Sequence, residues 1–216
     1  MGRIVISSAE EWLKARQAQG IGGSEAASIV NANRYKSNVQ LWEEKTGAKL
    51  PEDISDNPAV QYGKEAEKHL RALFTLDFPL YAVEYHEFDI LFNDEFPFIF
   101  ATLDGELTDQ AGRRGILEIK TTQIQNSGQW AEWEDKVPDN YFVQLLHQFL
   151  ATGYDFAILK AQIKYIKNTD IRIMTKHYFF ERSELENDLK YLLSEEIKFW
   201  RLVQERQRPN LQLPEI

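Results

Sequence analysis

Cysteine is absent from the 216 residues, which removes disulfides, thiolate zinc sites, iron–sulfur clusters and cysteine nucleophiles and points to a reducing compartment. No uninterrupted apolar stretch approaches the roughly 18 to 20 residues that a membrane-spanning helix needs. The N-terminus lacks the basic-then-apolar pattern of a secretory leader, so a cytoplasmic protein without membrane attachment is expected. Internal repeats, low-complexity tracts and a Gly/Ser/Pro-rich linker are missing as well. A single domain over residues 1–216 is therefore expected, with a helical part at about 1–56, a core at about 57–182 and a final helix at about 183–207. Positive charge is also scarce: 25 Lys and Arg face 34 Asp and Glu, for a net charge of −9. That balance opposes the basic footprint of a protein that coats DNA, and leaves room only for a local basic channel on an acidic surface.

What remains is an ordinary globular composition, 43% hydrophobic and 27% charged. The first fifty residues read as helices broken by the loop Gln19-Gly20-Ile21-Gly22-Gly23, with Ser24 a candidate N-cap and Glu25 suited to the helix dipole. A further helix is expected over about residues 39–45, stopped near Gly47. Asn57-Pro58 supplies a cap and an N1 proline for a helix reaching about Phe74, whose apolar face includes Ala66, Leu70, Leu73 and Phe74. Glu67 falls on or beside that face, a costly place for an unpaired charge. Residues 83–122 turn aromatic, β-branched and alternating, and read as successive strands. Pro138 and Asp139 open a helix that Gly153 closes, strands follow at about 156–165 and 171–180, and Ser183 with Glu186 forms the pattern of a capping box for the last helix. Helices, sheet, helix, sheet edge and helix, in that order, suit an α/β fold with a central mixed sheet flanked by helices.

The chemistry concentrates in Gly115-Ile116-Leu117-Glu118-Ile119-Lys120. As a strand, its period of two sends Glu118 and Lys120 to one face and Leu117 and Ile119 to the other. Upstream, the buried run of residues 98–103 ends at Asp104-Gly105, where an acid can project from a sheet edge. Paired strands lie about 4.8 Å apart, so Asp104 and Glu118 can share one hard cation if the register permits, with Lys120 beside them to orient a water. Hydrolysis of a phosphodiester calls for such a set, because carboxylate-held Mg²⁺ lowers the pKa of bound water and polarises the phosphoryl oxygen. Glu67, delivered from a helix, is a natural additional ligand. The acid-x-Lys spacing recurs at Glu43, Glu134, Asp188 and Glu196. Only Glu118 follows an apolar strand ending in Asp-Gly, and from its residues alone the segment reads either as a cross-strand surface ion pair or as a metal nuclease site. The histidines add no ligand set: His147 suits a structural role, and His69, His86 and His177 lack metal-ligand spacing.

Five blocks, in one order, resemble the YqaJ-like viral recombinase group, which includes the lambda-type phage exonucleases of the PD-(D/E)xK restriction-endonuclease-like fold. They are Gly20-Ile21-Gly22-Gly23-Ser24-Glu25-Ala26-Ala27, Tyr62-Gly63-Lys64-Glu65-Ala66-Glu67, Ala101-Thr102-Leu103-Asp104-Gly105, Leu117-Glu118-Ile119-Lys120 and Tyr141-Phe142-Val143-Gln144. The resemblance implies metal ligands at Asp104, Glu118 and the Ile119 carbonyl, with Glu67 serving a second ion through water. It makes Lys120 the catalytic lysine and places Gln144 and Tyr141 against the centre. Tyr141, Gln144 and Gln148 also fit the solvated stripe of an amphipathic helix. Ser24 resembles part of a 5′-phosphate pocket, or is a plain cap. Arg16 resembles its basic partner, one residue further from the glycine loop than the family's spacing, or is a solvent-facing helical arginine. The implied activity is a 5′-to-3′ exonuclease on double-stranded DNA ends, using one or two Mg²⁺ or Mn²⁺ ions. A homotrimeric ring and a single-strand annealing partner in phage-type recombination are implied with it. An endonuclease or junction-cleaving enzyme of the same fold, and a non-catalytic adaptor, are the alternative readings.

Overall fold

Asn57 and Pro58 do what their chemistry predicts. In the computed structural model, which describes residues 1–167 and 169–212, the rest of the expected 1–216 domain lying outside the described residues, Asn57 accepts from the Ala59 amide and Pro58 begins the 20-residue helix α4, Pro58–Asp77. Its inward face carries Leu70 and Phe74, both buried. Leu73, expected beside them, is instead 49% exposed, because it lies a further turn-fraction around the helix from Leu70 and Phe74.

The N-terminal part is not helical throughout. Gly2–Ile4 forms β1 and Ile21–Gly22 forms β2, separated by α1, Ala9–Gln19. They flank a four-stranded sheet, in the order β1-β4-β5-β2, with β4 at Ile90–Phe92 and β5 at Ile99–Ala101. β2 runs parallel to β5, and β1 and β4 are antiparallel to their neighbours. Gly20 makes the turn into β2 with φ +146° and lies so close to Phe98 that a side chain there would meet its backbone. Helix α2, Gly23–Ile29, follows directly, with Gly22 as its N-cap. Ser24 is therefore not the cap. It stands inside the first turn, and Glu25 reaches back instead, accepting from the Gly22 amide at 2.8 Å. Helix α3, Asn38–Lys45, is capped by Ser37.

The second sheet is five-stranded, in the order β3-β6-β7-β8-β9: Ala82–Glu84, Gly105–Thr108, Arg114–Ile124, Phe156–Lys167 and Asp170–Glu181. β7 and β8 are parallel along their length, and the other neighbours are antiparallel. A parallel pair needs a crossover, and residues 125–155 supply it with α5, Ser127–Ala131, and α6, Asp139–Thr152. Gly153 ends α6 in the left-handed region at φ 69°. The buried run expected over 98–103 is shorter than the sequence suggests, and it lies in the other sheet as β5. Asp104 falls in the link by which the chain passes from β5 to β6.

Period two sets the two faces of the second sheet. Leu117, Ile119 and Ile158 pack with Leu70 and Phe74 of α4. Ile116, Ala157, Leu159 and Ala161 pack on the opposite side, in the large cluster containing Leu145, Leu146 and Phe149 of α6. Such a closely packed interior makes Phe74→Ala costly, at about 3–5 kcal/mol. The last helix, α7, Glu186–Gln204, buries Leu189, Leu192, Phe199 and Val203. The expected Ser183–Glu186 capping box does not form. Residues Arg182–Glu184 make a 3₁₀ turn and Leu185 occupies the N-cap without a side-chain bond, so the sequence pattern is spent one turn early. His147, Glu196 and the Phe100 carbonyl tie α6, α7 and β5 together: Nδ1 lies 2.6 Å from Glu196 Oε1 and Nε2 2.8 Å from the carbonyl. Both side chains are fully buried.

Candidate active site

The register of β6 against β7 decides where the acids meet. Gly105 pairs with Leu117, so Asp104, one residue earlier, stands across from Glu118. Its Oδ2 accepts from the Ile119 amide at 2.7 Å. On β7, Glu118 and Lys120 face α6, as the alternation predicts, and Lys120 Nζ lies 2.7 Å from Glu118 Oε1.

Helix α6 holds this pair from above. Gln144 Nε2 donates to Glu118 Oε1 at 2.6 Å, while its Oε1 accepts from Lys120 at 2.9 Å. One turn later Gln148 Nε2 donates to Glu118 Oε2 at 2.6 Å. Tyr141, one turn before Gln144, lies under the ammonium, with Lys120 Nζ 4.9 Å from the ring centre. The stripe of Tyr141, Gln144 and Gln148 is therefore not a solvated face, and Gln148 is only 1% exposed. Its Oε1 is buried with no hydrogen-bond partner among the described residues, an acceptor left open at the wall of the cleft.

Helix α4 closes the other side. Arg71 Nη1 donates to Glu67 Oε1 at 2.9 Å and also to the Asp104 carbonyl, and its guanidinium stacks 3.4 Å above the Tyr85 ring. Sequence reasoning missed Arg71, although its position four residues after Glu67 is the signal for such a helical ion pair. Gln148 also fits a solvated stripe in the sequence, because the pattern does not show that α6 faces a carboxylate.

A cleft of about 290 Å³ results, lined by Glu67, Asp104, Glu118, Ile119, Lys120, Gln144 and Gln148 and reached on another side by Arg16 and Ser24. Gly23 lets α2 approach α6, for a Cβ there would stand 3.3 Å from Gln144 Cγ. Ser24 is exposed at the cleft mouth, and Arg16 is partly buried against Trp12, 4.5 Å from its ring centre, rather than facing solvent.

The electrostatics are those of an anionic hollow. Burial raises the Asp104 carboxyl well above its ordinary range; Glu118 and Glu67 push it further, and Lys120 and the Ile119 amide offset only part. Burial pulls the Lys120 ammonium down, but Glu118 and Asp104 more than compensate, so it is held above its ordinary value and stays charged. Burial lowers the Arg16 guanidinium, with Glu25 opposing. Among the described residues no group of three or more His, Cys, Asp or Glu side chains forms a ready cage for an ion. Two carboxylates and a peptide carbonyl nevertheless make a hard oxygen donor set, and a divalent cation there would offset the burial and the repulsion that together hold Asp104 up. The residues fit such an ion.

The sequence profile of the YqaJ-like viral recombinase domain matches residues 11–155. The chain belongs to the YqaJ-like viral recombinase family. A curated relative, the uncharacterized protein YqaJ of Bacillus subtilis (strain 168), is 29% identical over 197 residues, covering 89% of this chain and 56% of the relative. The chain thus spans about half the length of that relative. Among solved structures, an alkaline exonuclease of Laribacter hongkongensis matches with a TM-score of 0.61 at 18% identity, covering 92% of this chain and 97% of the other. The same exonuclease in complex with dAMP gives 0.59 at 20%, with the same coverage. A phage-related exonuclease of Haemophilus somnus 129PT gives 0.55 at 16%, covering 87% and 96%. At these identities the likeness establishes a fold shared with phage-type exonucleases, the PD-(D/E)xK architecture expected from the sequence. The matched family region contains the site residues from Arg16 to Gln148.

Proposed function

We propose that this protein is a Mg²⁺-dependent 5′-to-3′ exonuclease that digests linear double-stranded DNA and leaves a 3′ single-stranded overhang. The observation that carries this reading is the meeting of Asp104, Glu118 and Lys120 in one cleft, with Glu118 held by Gln144 and Gln148. Asp104, Glu118 and the Ile119 carbonyl would hold the cation, with Glu67 available to a second ion through water. A bound Mg²⁺, or Mn²⁺, supplies an activated water and charge neutralisation at the phosphoryl oxygen.

The chain's own groups do the positioning. The two glutamines fix both oxygens of Glu118, so its carboxylate cannot rotate out of the cleft. Lys120, kept protonated by Glu118 and Asp104, acts as a fixed positive charge for a non-bridging oxygen of the phosphate rather than as a base. Tyr141 and Gln144 orient that ammonium. Arg71 holds Glu67 in place without entering the cleft lining. Ser24 and Arg16 would receive the terminal 5′ phosphate, for which a hydroxyl and a planar guanidinium are suited. One of the similar exonuclease structures is a complex with dAMP, which supports a nucleotide as the kind of ligand this protein takes.

A ring of three copies around the duplex would keep an acidic protein on its substrate by topology instead of by charge. Its product, a 3′ single strand, is the substrate of a single-strand annealing partner in phage-type recombination inside the cell. The test is digestion of 5′-phosphorylated and 5′-hydroxyl linear duplexes with Mg²⁺ or EDTA. Mononucleotides released progressively from the phosphorylated ends, with closed circles intact and EDTA blocking release, support the reading. Nicked circles would replace it with an endonuclease, and no Mg²⁺-dependent cleavage would leave the adaptor reading.

A further inference from the structure

The cleft does not end at Thr121. That residue also walls a second groove of about 410 Å³, whose polar lining is Asn57, Tyr62, Thr121, Thr122, Gln123 and Lys164. Gly63 joins the two spaces: it lines the cleft, and a Cβ there would stand 3.3 Å from Thr121 Oγ1. Helix α4 therefore lies tight against β7 where one space passes into the other.

The groove differs in charge from the chain around it. The protein has a net charge of −9, yet no carboxylate lines the groove among the described residues. Its cation is Lys164, whose Nζ lies 3.1 Å from the centre of the Tyr62 ring. Tyr62 is fixed in turn by its hydroxyl, which donates to Gln162 Oε1 at 2.5 Å. Parallel pairing sets Gln123 opposite Lys164 and Thr121 opposite Gln162, so hydroxyl, amide and ammonium occupy neighbouring places on one face of two strands. Pro58 and Ala59 at the start of α4 complete the wall and add the partial positive charge of a helix N-terminus.

We propose that this groove holds the backbone of the cleaved DNA strand on the 3′ side of the scissile phosphate. The inference rests on the exonuclease reading, with the 5′ phosphate at Ser24 and Arg16. Those two come from α2 and α1 at one side of the cleft, whereas Gly63 and Thr121 come from α4 and β7 at another. A strand anchored at the first side and cut between Asp104 and Glu118 leaves past Thr121. There Lys164 neutralises a phosphate, Thr121 and Gln123 hydrogen-bond its oxygens, and Tyr62, 37% exposed, offers its ring edge to the sugar. Such contacts grip any sequence, as a digesting enzyme requires.

The test compares wild type, Lys164→Gln and Lys164→Arg. Affinity for a 5′-phosphorylated duplex is measured in Ca²⁺ across a salt series, and digestion is measured in Mg²⁺. Lys164→Gln should weaken binding severalfold and lower the slope of log affinity against log salt by about 1, with the loss falling on KM rather than kcat; Lys164→Arg should retain the slope. A neutral methylphosphonate 3′ of the scissile position on the cleaved strand should weaken the wild type but not Lys164→Gln. An unchanged slope in Lys164→Gln, or a methylphosphonate effect confined to the complementary strand, overturns the groove assignment while wild-type digestion keeps the exonuclease reading. A wild type that digests nothing in Mg²⁺ overturns both.

Discussion

Gln148 donates through Nε2 to Glu118 Oε2 at 2.6 Å from a position that is 1% exposed, one helical turn after Gln144 makes the matching bond to Oε1. Both oxygens of the acid are thus aimed by α6, and the aim depends on side chains that need not touch DNA. Replacing Gln148 by Leu keeps the volume and removes the bond. Second partners of metal ligands typically carry about 10- to 100-fold in affinity or activity. The expected result is an Mg²⁺ titration of digestion shifted upward by that factor, with a circular dichroism spectrum like that of the wild type.

Asp104 is a buried acid set among other acids. Its carboxyl is raised by burial first and then by Glu118 and Glu67, so in the metal-free protein ionising it costs stability. That cost is absent below the ordinary carboxylate pKa of about 4 and grows as pH rises above it. Asp104→Asn should therefore melt above the metal-free wild type at pH 8 and converge with it near pH 4, while digestion is abolished. A melting series with EDTA checks the sign; an Asn variant less stable than wild type at pH 8 would contradict it.

His147 and Glu196 make the opposite case. Burial lowers the imidazolium, but Glu196 and the Phe100 carbonyl overcome it, leaving His147 raised from its ordinary 6.5. The pair's contribution is therefore fully present below about 6.5 and is lost as pH climbs through the raised folded value. Wild type should lose melting temperature over that alkaline window, whereas a His147→Gln, Glu196→Gln double variant should show a flatter profile. His147→Ala alone would strand a buried acid and cost about 3–5 kcal/mol.

Lys120 is a charge-specific prediction. Its ammonium is fixed between Glu118, Gln144 and the Tyr141 ring. Lys120→Met should leave Mg²⁺ binding by calorimetry largely intact while lowering kcat by about 10²-fold or more, the usual loss on deleting one electrostatic donor.

The sequence made the chemistry of β7 readable because a strand's two faces follow from parity, and Glu118, Lys120, Leu117 and Ile119 obey it. It also exposed α4 and α6 through Asn57-Pro58 and Gly153, whose backbone demands are local. Tertiary partnership was illegible. Glu118 by its strand alone fits half of a surface ion pair, and Gln148 by its helix alone fits a polar stripe, because periodicity shows a face without showing what the face meets. The split into two sheets is illegible in the sequence for a similar reason: β1 and β2 are two or three residues long, too short to carry a period. Ser24 and Ser183 show the limit of cap motifs, since Glu25 capped α2 from inside the helix and the chain began α7 after a 3₁₀ turn.

The proposed chemistry depends above all on Asp104 and Glu118 sharing a divalent ion. It is tested most directly by titrating Mn²⁺ into wild type, Asp104→Asn and Glu118→Gln while following the ion by electron paramagnetic resonance. Wild type should bind Mn²⁺ saturably and in competition with Mg²⁺, and both variants should lose that binding together with digestion. Ion binding that survives in both folded variants would contradict it.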